Sequence, residues 1–119
     1  MAKTTVRFVV SLAIKDGQFE AFDAVAKEMT ALTQMEPGTL AYDWYLSPDK
    51  TQCRLYESYV DGNAALAHMA GEVVQELVPK LLGASTITAF EVFGETGAST
   101  DILRGAGATF FPSWQAIGR

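Results

Sequence analysis

Residues 36–68, EPGTLAYDWYLSPDKTQCRLYESYVDGNAALAH, decide how the rest of the chain is read. Glu36-Pro37-Gly38 is a turn, because Pro cannot continue a preceding helix and Gly supplies the bend. Residues 39–47 and 52–60 read as strands joined by the hairpin turn Ser47-Pro48-Asp49-Lys50-Thr51. Pairing Ser47 with Gln52 puts Leu40, Tyr42, Trp44, Leu46, Cys53, Leu55, Glu57 and Tyr59 on one face. Ala41, Asp43, Tyr45, Arg54, Tyr56 and Ser58 fall on the other. Asp61 is a good N-cap for a helix that begins near Asn63 and carries the chain's one histidine, His68.

On the N-terminal side, residues 4–14 are rich in β-branched side chains and too short for a globular helix, so they read as a strand. From Gln18 to Gln34, Phe19, Phe22, Val25, Ala26, Met29 and Leu32 recur at helical spacing and form one apolar stripe. On the C-terminal side, Gly71 interrupts the second helix, and a new stripe runs from Val73 to Leu82 with a kink or break expected at Pro79. Residues 84–93 are the fourth strand, with Phe90 and Val92 on one side and Ile87, Ala89 and Phe93 on the other. The order β-α-β-β-α-β predicts an α+β, ferredoxin-like fold: a four-stranded antiparallel sheet with helices on one face. Residues 1–94 make this domain, and residues 95–119 are an aromatic tail extending it. The tail holds a short helix candidate at Ser99–Arg104, and its Phe110, Phe111, Trp114 and Ile117 need apolar cover.

With 119 residues and 49% apolar side chains, the chain suffices for one core. A net charge of −5, with scattered Lys and Arg, offers no attraction to nucleic acid. One Cys and one His exclude an internal disulfide and a zinc site built from the two of them alone. The start MAKTTVRFVV has no signal-peptide pattern, and no apolar run reaches the roughly 18–20 residues that span a bilayer. A cytoplasmic protein that does not engage membranes is expected.

Helices cover one face of the sheet only. The second face carries Tyr, Val and Phe residues, as interfaces do, so a homodimer packed sheet to sheet through a two-fold contact is predicted, with a monomer exposing this patch as the alternative.

Glu57 stands out on the inner hairpin face, where a buried carboxylate needs a partner or a proton. The Tyr42 hydroxyl and His68 are candidate partners. Glu57 is either a tuned proton acceptor or a structural hydrogen-bonding group, the commoner role. His68, among Ala64, Ala65 and Ala67, has open space that suits a ligand, and an imidazole suits acid–base work near neutrality. A surface pair with Glu72, one turn on, is the structural alternative. Tyr42, Trp44, Phe22 and Met29 can line an apolar pocket for an aromatic ring, or simply form core. Cys53 lacks the cationic surroundings of an activated thiol, and RGAGA lacks the context of a phosphate loop.

EPGTLAYDWYLSPD followed by CRLYESYVDGNAALAH resembles the antibiotic biosynthesis monooxygenase domain, which includes quinol monooxygenases. The similarity covers residues 4–94, and FFPSWQAIGR is similar to an extension of one bacterial branch. The resemblance implies a dimeric α/β barrel and oxygenation of phenolic or quinol substrates by O₂ without metal, flavin or other cofactor. It further implies that Glu57 and His68 match the family's glutamate-to-histidine pattern, with Trp44 on the strand after the Pro-Gly turn. The Asn-Trp-Arg set of polyketide-oxidising members has no evident place here. Haem-degrading relatives use an Asn, a Trp and a proximal His, and this chain's single His lies nearer the Trp position, which argues against haem breakdown.

These readings predict a small monooxygenase with His68 as acid/base, Glu57 orienting it or Tyr42, and Trp44 with Tyr42 stacking on the substrate ring. A non-catalytic dimeric protein that binds a small aromatic molecule in the same pocket is the alternative, and a stress-related protein with a vestigial pocket is a third.

Overall fold

The computed structural model describes residues 4–118. Strand β1 (Val6–Ile14) leads into helix α1 (Phe19–Thr33), the hairpin β2 (Thr39–Leu46) and β3 (Gln52–Tyr59), and helix α2 (Gly62–Ala70). One π-helical turn, Val73–Leu77, runs into α3 (Val78–Ala84), and β4 (Ser85–Phe93) follows. A 3₁₀ turn at Gly97–Ser99, helix α4 (Thr100–Gly105) and strand β5 (Thr109–Phe111) complete the fold. The sheet order is β2-β3-β1-β4-β5. This is the expected ferredoxin-like α+β arrangement with one correction: the sheet has five strands and is mixed, because β5 joins β4 in parallel.

The added strand comes from the tail. Leu103 of α4 is fully buried in the cluster that contains Val6, Phe8, Tyr59 and Val92. This anchor returns the chain beside β4, where Phe111 stacks on Phe93 with centroids 5.3 Å apart. At the end of the tail, Trp114 is 90% exposed and Ile117 64% exposed in the single chain.

Alternation along the strands sets the core. Val6, Phe8, Leu12, Cys53, Leu55, Glu57 and Tyr59 are buried on the helix-covered face, with Tyr42 opposite Glu57 and Trp44 opposite Leu55. Two bulges change the expected faces. Thr39 pairs with Tyr59 and Ala41 with Ser58, so Leu40 bulges out and is 60% exposed. Ser11 pairs with Ala89 but Leu12 with Ile87, so Thr88 is skipped and Ile87 turns to the helix side. A one-residue slip reverses the face of everything beyond it, and alternation in the sequence carries no mark of the slip.

Local chemistry fixes the helices that hold the site. The Asp61 carboxylate accepts from the Ala64 amide at 2.9 Å and caps α2. Gly71 is extended and ends α2, one turn after His68. The break expected near Pro79 is taken up by the π turn before it and the start of α3, where a missing N–H costs little.

Candidate functional site: a Glu-His-Glu cluster beside an apolar cavity

A cavity of about 240 Å³ lies between the helix-covered face of the sheet and the helices. Its wall is mostly aliphatic: Val10, Leu12 and Leu55 from the sheet, Met29 from α1, and Val74, Val78, Leu81 and Leu82 from the π turn and α3. Exposed Ile87 and Ala106 mark its rim. Its polar groups, Tyr42, Glu57 and His68, meet within this apolar surround. The volume falls just below the roughly 300–1,000 Å³ of drug-sized sites, which suits a one-ring or similarly small ligand.

Each polar group comes from a different element. Glu57 sits on central strand β3 with its side chain inward, and Tyr42 faces it from β2. His68 reaches the same point from the last turn of α2. The Tyr59 hydroxyl donates to Glu57 Oε1 at 2.5 Å. His68 Nε2 lies 3.5 Å from the same oxygen, and His68 Nδ1 lies 2.9 and 3.1 Å from the two carboxylate oxygens of Glu36. The imidazole packs between the rings of Tyr42 and Tyr59, with centroids 5.5 and 5.3 Å away. The cluster is therefore held by strand, helix and turn together.

Burial governs its electrostatics. Desolvation pushes the Glu57 carboxyl above its ordinary range, while the nearby His68 and the Tyr59 hydroxyl pull it back. Burial first and the Glu57 charge second push the Tyr42 and Tyr59 phenols upward, so both remain protonated donors. The Tyr42 hydroxyl also neighbours Thr33 Oγ1, which is buried without a hydrogen bond of normal geometry. A carboxyl that favours its proton beside an imidazole is suited to moving a proton to or from a bound ligand.

Of the residues singled out in the sequence, His68, Glu57, Tyr42 and Met29 meet at the cavity. Phe22 and Trp44 lie outside its wall. Trp44 donates from Nε1 to Thr30 Oγ1 at 2.8 Å and meets Phe22 and Tyr42 edge-on, supporting Tyr42 from behind. The expected approach of His68 to Glu57 is present at 3.5 Å, while the Tyr42 partner for Glu57 and the Glu72 alternative for His68 are replaced. Glu57 bonds to Tyr59 instead of Tyr42, because residues two apart on a strand share a face and Tyr59 is fully buried there. His68 pairs with Glu36 instead of Glu72, since its ring points into the fold and is 2% exposed. Glu36 gave no functional signal in the sequence beyond its place before the Pro-Gly turn.

Among the described residues, no group of three or more His, Cys, Asp or Glu is arranged to hold a metal ion. Cys53 is buried and burial pushes its thiol pKa up, in line with an unreactive thiol. No helix of the described residues is long and apolar enough to cross a membrane.

Comparison with known proteins places the fold. The family model described as antibiotic biosynthesis monooxygenase matches residues 5–80. No curated protein is significantly similar. Among solved structures, MupZ from Pseudomonas fluorescens is 28% identical, with a TM-score of 0.82 over 98% of this chain and 95% of its own. SnoaB from Streptomyces nogalater, a cofactor-independent oxygenase, shares the fold at 18% identity and a TM-score of 0.68, covering 77% of this chain and 93% of its own. Rv0793 from Mycobacterium tuberculosis does so at 21% identity and a TM-score of 0.68, covering 77% and 95%. The match to the family model, over more than half of the sequence, carries the assignment: this chain belongs to the antibiotic biosynthesis monooxygenase family.

Proposed function

We propose that the protein is a monooxygenase that oxidises a small phenolic or quinol compound with O₂, without a prosthetic group. The observation that carries this reading is the meeting of Glu57, His68 and Tyr42 at one apolar cavity. The fold shared with SnoaB, a cofactor-independent oxygenase, supports it.

In this reading the ring lies against Met29 and the aliphatic wall, with its hydroxyl toward Glu57 and His68. His68 accepts the phenolic proton at Nε2, Glu57 orients the ring hydroxyl, and Tyr42 donates to the oxygen that gains charge. A phenolate in a dry cavity gives up electrons more readily than the phenol. The overall change balances within the substrate: in a phenol a ring C–H and the O–H become two carbonyls, and in a quinol the two O–H groups become carbonyls while one ring C–H becomes C–OH. One oxygen atom of O₂ enters the product, the other leaves as water, and the ring supplies all four electrons.

The test is reaction of candidate phenols and quinols under ¹⁸O₂. One labelled oxygen per product molecule, absent without enzyme, supports the reading, and no labelled product with any compound overturns it. A second reading, a non-catalytic binder, is favoured by one observation: Glu57 and His68 already satisfy each other's neighbourhood through Tyr59 and Glu36. Tight binding of a phenol with no ¹⁸O transfer selects it. In either case we infer a homodimer built on the uncovered sheet face, within a cell's cytoplasm.

A further inference from the structure

Glu36 stands where neither the helix nor the strand beside it requires a carboxylate. It lies between α1 and β2, with its amide donating to the Thr33 carbonyl at 2.9 Å. The Thr39 hydroxyl donates to its Oε1 at 2.9 Å, so its position is fixed from its own turn. The turn then packs hard on α2. A β-carbon on Gly38 would come within 2.6 Å of the Ala64 methyl, four residues before His68 and so on the same side of the helix. Only glycine allows this approach, and it brings both Glu36 oxygens to His68 Nδ1.

We propose that Glu36 is a positioning residue for His68, holding the neutral imidazole as the Nδ1–H tautomer with Nε2 directed to Glu57 and the cavity. An ionised carboxylate offers acceptors only, so contacts of 2.9 and 3.1 Å place the hydrogen on Nδ1. Nε2 is then the free lone pair, 3.5 Å from Glu57 Oε1, and is the atom that meets a ligand proton. When it takes that proton, the imidazolium gains the charge of Glu36 on its far side. The two carboxylates therefore differ in task. Glu57 is 6% exposed and faces the cavity, whereas Glu36 is 29% exposed and reaches water from behind the ring. The role in turnover rests on the proposed function, but the tautomer does not.

His68 is the one histidine of the sequence, so its ring nitrogens are read without assignment ambiguity by ¹⁵N–¹H correlation of the imidazole. At a pH where the ring is neutral, wild type should show protonated Nδ1 and unprotonated Nε2. Glu36→Gln, whose amide oxygen still accepts, should keep that pattern. Glu36→Ala and the nearly isosteric Glu36→Met, which offers no oxygen acceptor, should move the ring to mostly Nε2–H. With a turned-over phenol, Glu36→Met should lower kcat on the order of 10- to 100-fold with KM within about twofold, as for partners that orient functional histidines. A wild-type Nε2–H tautomer, or the same tautomer in wild type and in folded Glu36→Met, overturns the proposal. Absence of turnover in wild type would instead refute the proposed function and leave the tautomer result to decide this one.

Discussion

Tyr59 and Glu57, two residues apart on β3, share a 2.5 Å hydrogen bond in which both groups are almost wholly buried. The phenol stays a donor because its own ionisation is disfavoured by burial and by the carboxylate it contacts. The carboxyl in turn favours its proton, chiefly through desolvation. Folding therefore raises the proton affinity of Glu57 above its unfolded value near 4.5.

The sign of the resulting pH dependence follows. Below about 4.5 Glu57 is protonated in both states and its contribution to stability is complete. As pH rises from there through the raised native value, the folded state holds the proton longer than the unfolded chain, and stability falls. Each unit of pH in that window costs at most about 1.4 kcal/mol. Glu57→Gln removes this contribution, so its melting temperature should decline less than that of wild type between pH 5 and 8. Parallel curves for the two proteins would contradict the buried-carboxyl account.

The contact of Gly38 with Ala64 makes a second prediction. Gly38→Ala forces its new methyl against α2 at 2.6 Å and must push the turn or the helix away. Overpacking of this kind costs about 1–3 kcal/mol. The Glu36–His68 bond should weaken with it, so the variant should show both lower thermal stability and a mixed His68 tautomer. Gly83→Ala, on α3 with nothing within 4 Å of the added carbon, is the control and should match wild type or slightly exceed its stability.

Val9 provides the test of assembly. It lies near the middle of the uncovered sheet face, opposite Tyr56 on β3 and Glu91 on β4. If two copies pack through this face, light scattering of wild type should give twice the 12.9 kDa chain mass, and Val9→Lys should give one. A lone half-exposed position would tolerate Lys within about 0.5 kcal/mol, so the variant should remain folded. Wild type at the mass of one chain would remove the sheet-packed dimer.

The sequence disclosed the frame of this molecule more readily than its closing contacts. Apolar spacing gave α1, the hairpin turn fixed the pairing of Tyr42 with Glu57, and Asp61 marked the start of the helix that carries His68. Each of these rests on residues near one another in the chain. The bulges at Leu40 and Thr88 did not show, because a bulge is a property of two strands pairing and not of either alone. Strand β5 was missed for the same reason: TFF is too short to read as a strand without β4 beside it. Of the two carboxylates beside His68, Glu57 was legible from the hairpin face, whereas Glu36 was not, being 32 residues away and brought in by the Gly38 approach. Tyr59 was legible in principle, since i and i+2 on a strand share a face.

In the proposed reaction, His68 handles the proton of a phenolic substrate in the cavity it shares with Glu57. Oxygen uptake with a panel of reduced quinols, wild type against His68→Ala at saturating substrate, tests it most directly. Loss of a general base lowers such rates on the order of 10²–10⁴-fold, and we expect His68→Ala to fall in that range while still binding the ring. Equal oxygen uptake by the two proteins would exclude this role for His68.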